Sequence, residues 1–123
     1  MSRRARIALA IDLVAVVVFV AIGRRSHNEP GNALAATGKV AAPFLIAVIA
    51  GWVAARAWRS PWELRTGAIV WIVTVALGMV LRNLVFDRGT APAFVIVATV
   101  FLGTFLLGWR ALAPRVAAKL AHN

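Results

Sequence analysis

Apolar residues fall into four long runs, each ended by a cluster of polar, glycine or proline positions. The first covers 7–22, behind the basic start Arg3-Arg4-Ala5-Arg6. The second runs over 40–58, with Pro43 in its first turn, where a missing N–H does no harm. The third opens on Ser60-Pro61-Trp62-Glu63, which reads as a capping box with proline at the first helical position. The fourth follows Thr90-Ala91-Pro92 and stops before Pro114. Near-continuous apolar runs of about 18 residues or more predict membrane-spanning helices. The pattern therefore predicts an all-α polytopic membrane protein, a single four-helix bundle over 1–123 with helices about 5–23, 40–58, 61–86 and 91–113. An external polar loop, 24–39, and a C-terminal tail, 114–123, complete it. The short second and third connections make helices two and three, and three and four, antiparallel neighbours.

The first run could pass for a signal peptide, with Ala21-Ile22-Gly23 as a cleavage site. Its length and the presence of Asp12 predict instead a retained signal-anchor helix. Within it Ile7, Ile11, Val14, Val18 and Ile22 make one bulky stripe, and Ala5, Ala8, Asp12, Ala15 and Phe19 lie on the other face. A bulky stripe suits lipid, so Asp12 should face the bundle.

Composition strengthens the membrane assignment. Hydrophobic residues make up 62% and mean hydropathy is +0.84, against roughly 45–50% apolar in ordinary globular chains. The net charge of +10 does not redirect it to nucleic acid, because the basic residues sit at the ends of the apolar runs. Nine Lys and Arg lie on the side of the N-terminus, second loop and tail, and five on the other. That bias predicts both termini in the cytoplasm. Trp58, Trp62 and Trp109 fall on the same side, as an aromatic belt would. Anionic headgroups are the partners such ends imply.

Candidate chemistry is sparse. There is no cysteine, and His27 and His122 fit no ligand spacing, so neither metal nor cofactor is expected. Asp12 is the residue to explain, since a carboxylate at membrane depth costs roughly 2.5–3.5 kcal/mol on insertion scales. Depth and direction predict Arg56 as its partner, with Arg65 and Arg110 as competitors. A neutral Asp12 is the form a proton-coupled carrier would use. Small residues predict close helix contacts at Ala47, Gly51 and Ala55, at Gly67, Thr74 and Gly78, and at Thr99, Gly103 and Gly108. Pro43-Phe44 and Pro92-Ala93-Phe94, each followed by a Gly-Trp pair (Gly51-Trp52, Gly108-Trp109), hint at a duplicated hairpin.

Several stretches carry a family resemblance: Gly23-Arg24-Arg25-Ser26-His27, Gly51-Trp52 through Arg56-Ala57-Trp58, Leu64-Arg65-Thr66-Gly67, and above all Gly89-Thr90-Ala91-Pro92-Ala93-Phe94-Val95-Ile96-Val97-Ala98-Thr99. The chain resembles a bacterial and archaeal membrane family catalogued as domain of unknown function 3054. The resemblance implies a fold and the cytoplasmic (inner) membrane of a prokaryote, and brings no catalytic residues. Small multidrug-resistance transporters offer an architectural analogy in their four short helices and one embedded acid. With no catalytic set in one pocket, an enzyme is not expected. The favoured function is a non-enzymatic accessory or assembly subunit, packing against itself or a membrane-protein partner, and the alternative is a small proton-coupled transporter using Asp12. An intramembrane enzyme acting on lipid has only Thr66, Thr74, Thr99 and Thr104 to draw on beside Asp12.

Overall fold

Four α-helices and no strand make up the described residues of the computed structural model, which are 1–27, 33–84 and 92–121. They are α1 (Arg3–His27), α2 (Ala33–Ala55), α3 (Leu64–Leu84) and α4 (Pro92–Ala121). Arg3–Ile22, Leu64–Leu84 and Val95–Pro114 are long and apolar enough to cross a membrane, and Ala41–Ala55 within α2 is a shorter apolar segment. The helices close into a ring in which α1 meets α2, α2 meets α3, α3 meets α4 and α4 returns to α1.

Local chemistry sets the ends. Ser2 caps α1, its hydroxyl accepting from the Ala5 N–H at 3.1 Å. The second helix starts at Ala33 rather than near 40, because Ala33-Leu34-Ala35-Ala36 are strong helix formers that outweigh Thr37 and Gly38. Most of the predicted external loop is thus helical, and Pro43 lies inside α2. Residues 28–32 of that loop, the 85–90 turn and its Thr90 cap lie outside the described residues.

At its other end α2 stops at Ala55, three residues short of the expected 58. The Ala57 N–H donates to the Trp52 carbonyl at 3.0 Å and the Arg56 N–H to that of Val53 at 3.2 Å. These two bonds, with Arg56 at φ 49°, make a Schellman termination. Arg56 occupies the left-handed position that glycine usually fills.

The third helix also starts later than its capping box predicts. Ser60 contributes its carbonyl, which accepts from the Glu63 N–H at 3.3 Å and the Thr66 hydroxyl at 2.7 Å. The Pro61 carbonyl is taken by Arg110 Nε at 2.9 Å instead of by the first turn of a helix. A long-range bond has displaced the local signal. The fourth helix begins on Pro92, as the proline predicts, but continues past Pro114 to Ala121. Pro114, exposed on the surface, deprives the Arg110 carbonyl of the N–H donor that another residue would supply.

The interior follows the small-residue tracks with one exception. Ala47, Gly51, Gly67, Thr74, Gly78 and Gly103 are buried and Ala55 and Thr99 half-buried. A Cβ on Gly51 would lie 3.1 Å from the Val70 Cα, one on Gly78 2.5 Å from the Phe44 ring, and one on Gly103 2.7 Å from the Trp71 ring. Absence of a side chain at these three positions lets α2 meet α3 and α3 meet α4. Trp71 uses the space at Gly103 to donate its indole N–H to the Thr99 carbonyl at 2.9 Å. Gly108 is the correction: a Cβ there would touch nothing within 4 Å, because it faces away from the bundle. Phe19 links the layers, meeting Phe44 edge-on at 6.2 Å and Phe101 at 5.3 Å.

Candidate functional site

Helix α1 buries the face its pattern assigns. Ala5, Ala8, Asp12, Ala15 and Phe19 are buried, while Ile7, Val14, Val18 and Ile22 are exposed. Asp12 lies about 14 Å along the helix from Arg3, at 1.5 Å per residue. Ala8 and Ala15, one turn either side, leave room for neighbours to reach its carboxylate.

Four N–H groups reach it. Oδ1 accepts from Trp109 Nε1 at 2.9 Å and Arg110 Nη1 at 3.0 Å. Oδ2 accepts from Trp52 Nε1 at 2.8 Å and Arg110 Nη2 at 2.7 Å. A carboxylate offers about four acceptor sites, and here each is filled. Both side chains of the Asp12–Arg110 pair are 0% exposed. The fork is bidentate, the geometry in which arginine holds a carboxylate most strongly.

Arg110 is itself tied down. Its Nε donates to the Pro61 carbonyl, its Nη1 also donates to the Leu106 carbonyl at 2.9 Å, and its guanidinium lies 4.5 Å from the Trp109 ring. Gly67 of α3 makes room for the stem, since a Cβ there would lie 2.7 Å from Arg110 Cδ. The aromatic order continues outward. Trp62 meets Trp109 edge-on at 5.9 Å, donates to the Arg4 carbonyl at 3.2 Å and carries the Arg4 guanidinium 4.3 Å from its ring. All four helices and the α2–α3 turn therefore converge on one enclosed charge pair.

Arg56 is not part of it. The expected Asp12–Arg56 pair is replaced by Asp12–Arg110, because α2 ends one residue before Arg56 and the left-handed turn leaves that side chain exposed. Arg65 is likewise exposed at the start of α3. The sequence reading missed Trp52 as a ligand of Asp12 and placed Trp109 in a headgroup belt. A signal for both was present in the repeated Gly-Trp pair, since one tryptophan of each pair donates to one of the two carboxylate oxygens. The third belt residue, Trp58, is exposed.

A family model for proteins of unknown function, DUF3054, matches residues 9–113. The chain belongs to that family. The DUF3054 match takes in Asp12, Trp52, Pro61, Gly67, Trp109 and Arg110, so the whole charge site lies inside it, while Arg3 and Arg4 lie before it. No curated protein and no solved structure matches the chain.

Proposed function

We propose that this DUF3054 protein is a non-enzymatic accessory or assembly subunit of the prokaryotic cytoplasmic membrane, with both termini on the cytoplasmic side. The observation that carries the reading is the saturation of Asp12. A carboxylate that takes part in proton transfer or ion coupling must meet water or substrate at some stage. This one is fully buried, and its acceptor sites are filled by two indoles and a guanidinium. Such an arrangement fixes helix register, a role for which buried ion pairs are suited.

The surface for a partner is on α4. Thr104 is exposed and Gly108 opens onto empty space, a four-residue spacing of small residues that the bundle does not use. Spacing of this kind lets a second membrane helix come close.

The absence of native cysteine makes the test clean. Gly108→Cys should cross-link to a second copy or to a defined membrane partner in native membranes, and Leu84→Cys, exposed on α3, should not. A protein that stays monomeric in mild detergent and forms no adduct at position 108 would overturn the proposal. The competing reading, a proton-coupled transporter, makes the opposite demand on Asp12. Proton flux into liposomes that Asp12→Asn abolishes would displace the subunit reading in its favour.

A further inference from the structure

The α1–α4 seam is the most open of the four in the ring. It holds a groove of about 360 Å³, lined by Ala10, Ile11, Val14 and Val18 of α1 and by Phe105 and Trp109 of α4. We propose that this groove is a site for one anionic phospholipid, with an acyl chain in the groove and the phosphate on Arg3.

Three observations select that occupant. First, the lining is carbon, and apolar cavities do not hold water. Second, the lining on α1 runs from Ala10 through Ile11 and Val14 to Val18, about 12 Å along the helix axis. A flexible hydrocarbon chain can follow such a seam. Third, the charge lies at the correct end. Arg3, Ile7, Ala10 or Ile11, Val14 and Val18 share one face of α1 by their three- and four-residue spacing. Arg3 is about 10 Å along the helix from Ala10, and its exposed guanidinium makes no ion pair among the described residues. Exposed Ile7 continues the apolar path between them.

The site also has a structural consequence. Trp109 lines the groove and donates to Asp12. A chain lying there covers the indole that holds Asp12 Oδ1.

The experiment is native mass spectrometry of the full chain released from bilayers of equal phosphatidylglycerol and phosphatidylcholine. We expect one phosphatidylglycerol retained per chain. Losing one basic contact near the surface should lower the preference for it about fivefold in Arg3→Gln. Ala10→Phe fills the groove from an exposed position and should remove the retained lipid altogether. Thermal unfolding of both variants in detergent, compared with the parent, checks that the bundle persists. Equal retention of the two lipids by the parent, or a lipid that survives Ala10→Phe in a folded protein, would overturn the proposal. So would a two-chain ion without lipid that Ala10→Phe dissociates, since a second copy would then occupy the groove.

Discussion

At the scale of single residues, sensitivity to substitution is concentrated in the Asp12–Arg110 contact. Removing one partner of a buried pair leaves an uncompensated charge, a loss of about 3–5 kcal/mol, whereas replacing both by apolar groups of similar volume is often neutral. Asp12→Leu and Arg110→Met should each destabilise the bundle by about that amount. The double replacement Asp12→Leu with Arg110→Met should recover most of it. Unfolding in mixed detergent micelles reads the cycle, and additive losses would show that the two side chains do not act as a pair. Arg56 makes the opposite case. A left-handed conformation costs a side-chain-bearing residue roughly 1–2 kcal/mol, and Arg56 is exposed and has no part in the charge site. Arg56→Gly should therefore stabilise the protein by about 1 kcal/mol in the same measurement. A loss of stability would mean that the Arg56 side chain holds something the backbone geometry does not reveal.

At the scale of helices, glycine positions divide into those that make the bundle and one that does not. Gly67→Ala, Gly78→Ala and Gly103→Ala each drive a Cβ to between 2.5 and 2.7 Å of the Arg110 stem, the Phe44 ring or the Trp71 ring. Overpacking of this kind typically costs about 1–3 kcal/mol. Gly108→Ala meets nothing and should leave the monomer as stable as before or slightly more so, since alanine is the better helix former. Comparison of the four melting midpoints decides the matter, and a uniform response would contradict the packing described. The same scale marks what the sequence can disclose. The buried face of α1 is legible because Ala5, Ala8, Asp12, Ala15 and Phe19 keep a helical period, and an acid on that face must find partners inside. Which partners is not legible. Depth along the chain ranks Arg56 with Arg110, and the choice depends on a helix end at Ala55 that no glycine announces. The start of α3 is hidden for a related reason: Ser60-Pro61 is a good local signal, but Arg110, 49 residues away, takes the carbonyl that the first turn would use. Nearby residues specify helices and faces. Their ends are decided by contacts that only the assembled bundle supplies.

At the scale of the whole molecule, the arrangement of charge makes an orientation testable. Exposed Arg3, Arg4, Arg6, Arg56, Arg59 and Arg65 belong to the end of the bundle that carries the N-terminus and the α2–α3 turn. In the proposed orientation, which follows the positive-inside rule, that end faces the cytoplasm. In single-cysteine variants, Asn28→Cys and Asp87→Cys should react with a membrane-impermeant maleimide in intact cells. Arg59→Cys should react only after permeabilisation. The reverse pattern would invert the topology and with it the assignment of the inner face. The ring of contacts also joins the first helix to the last, with the charge pair separated by 98 positions in the chain. At about 5–20 residues per second, a ribosome needs roughly 5–20 s to make that interval. Throughout it the Asp12 carboxyl lacks the Arg110 partner that the finished bundle gives it. A translation product cut short before residue 110 never gains that partner, so unfinished copies differ chemically from finished ones at this one carboxyl.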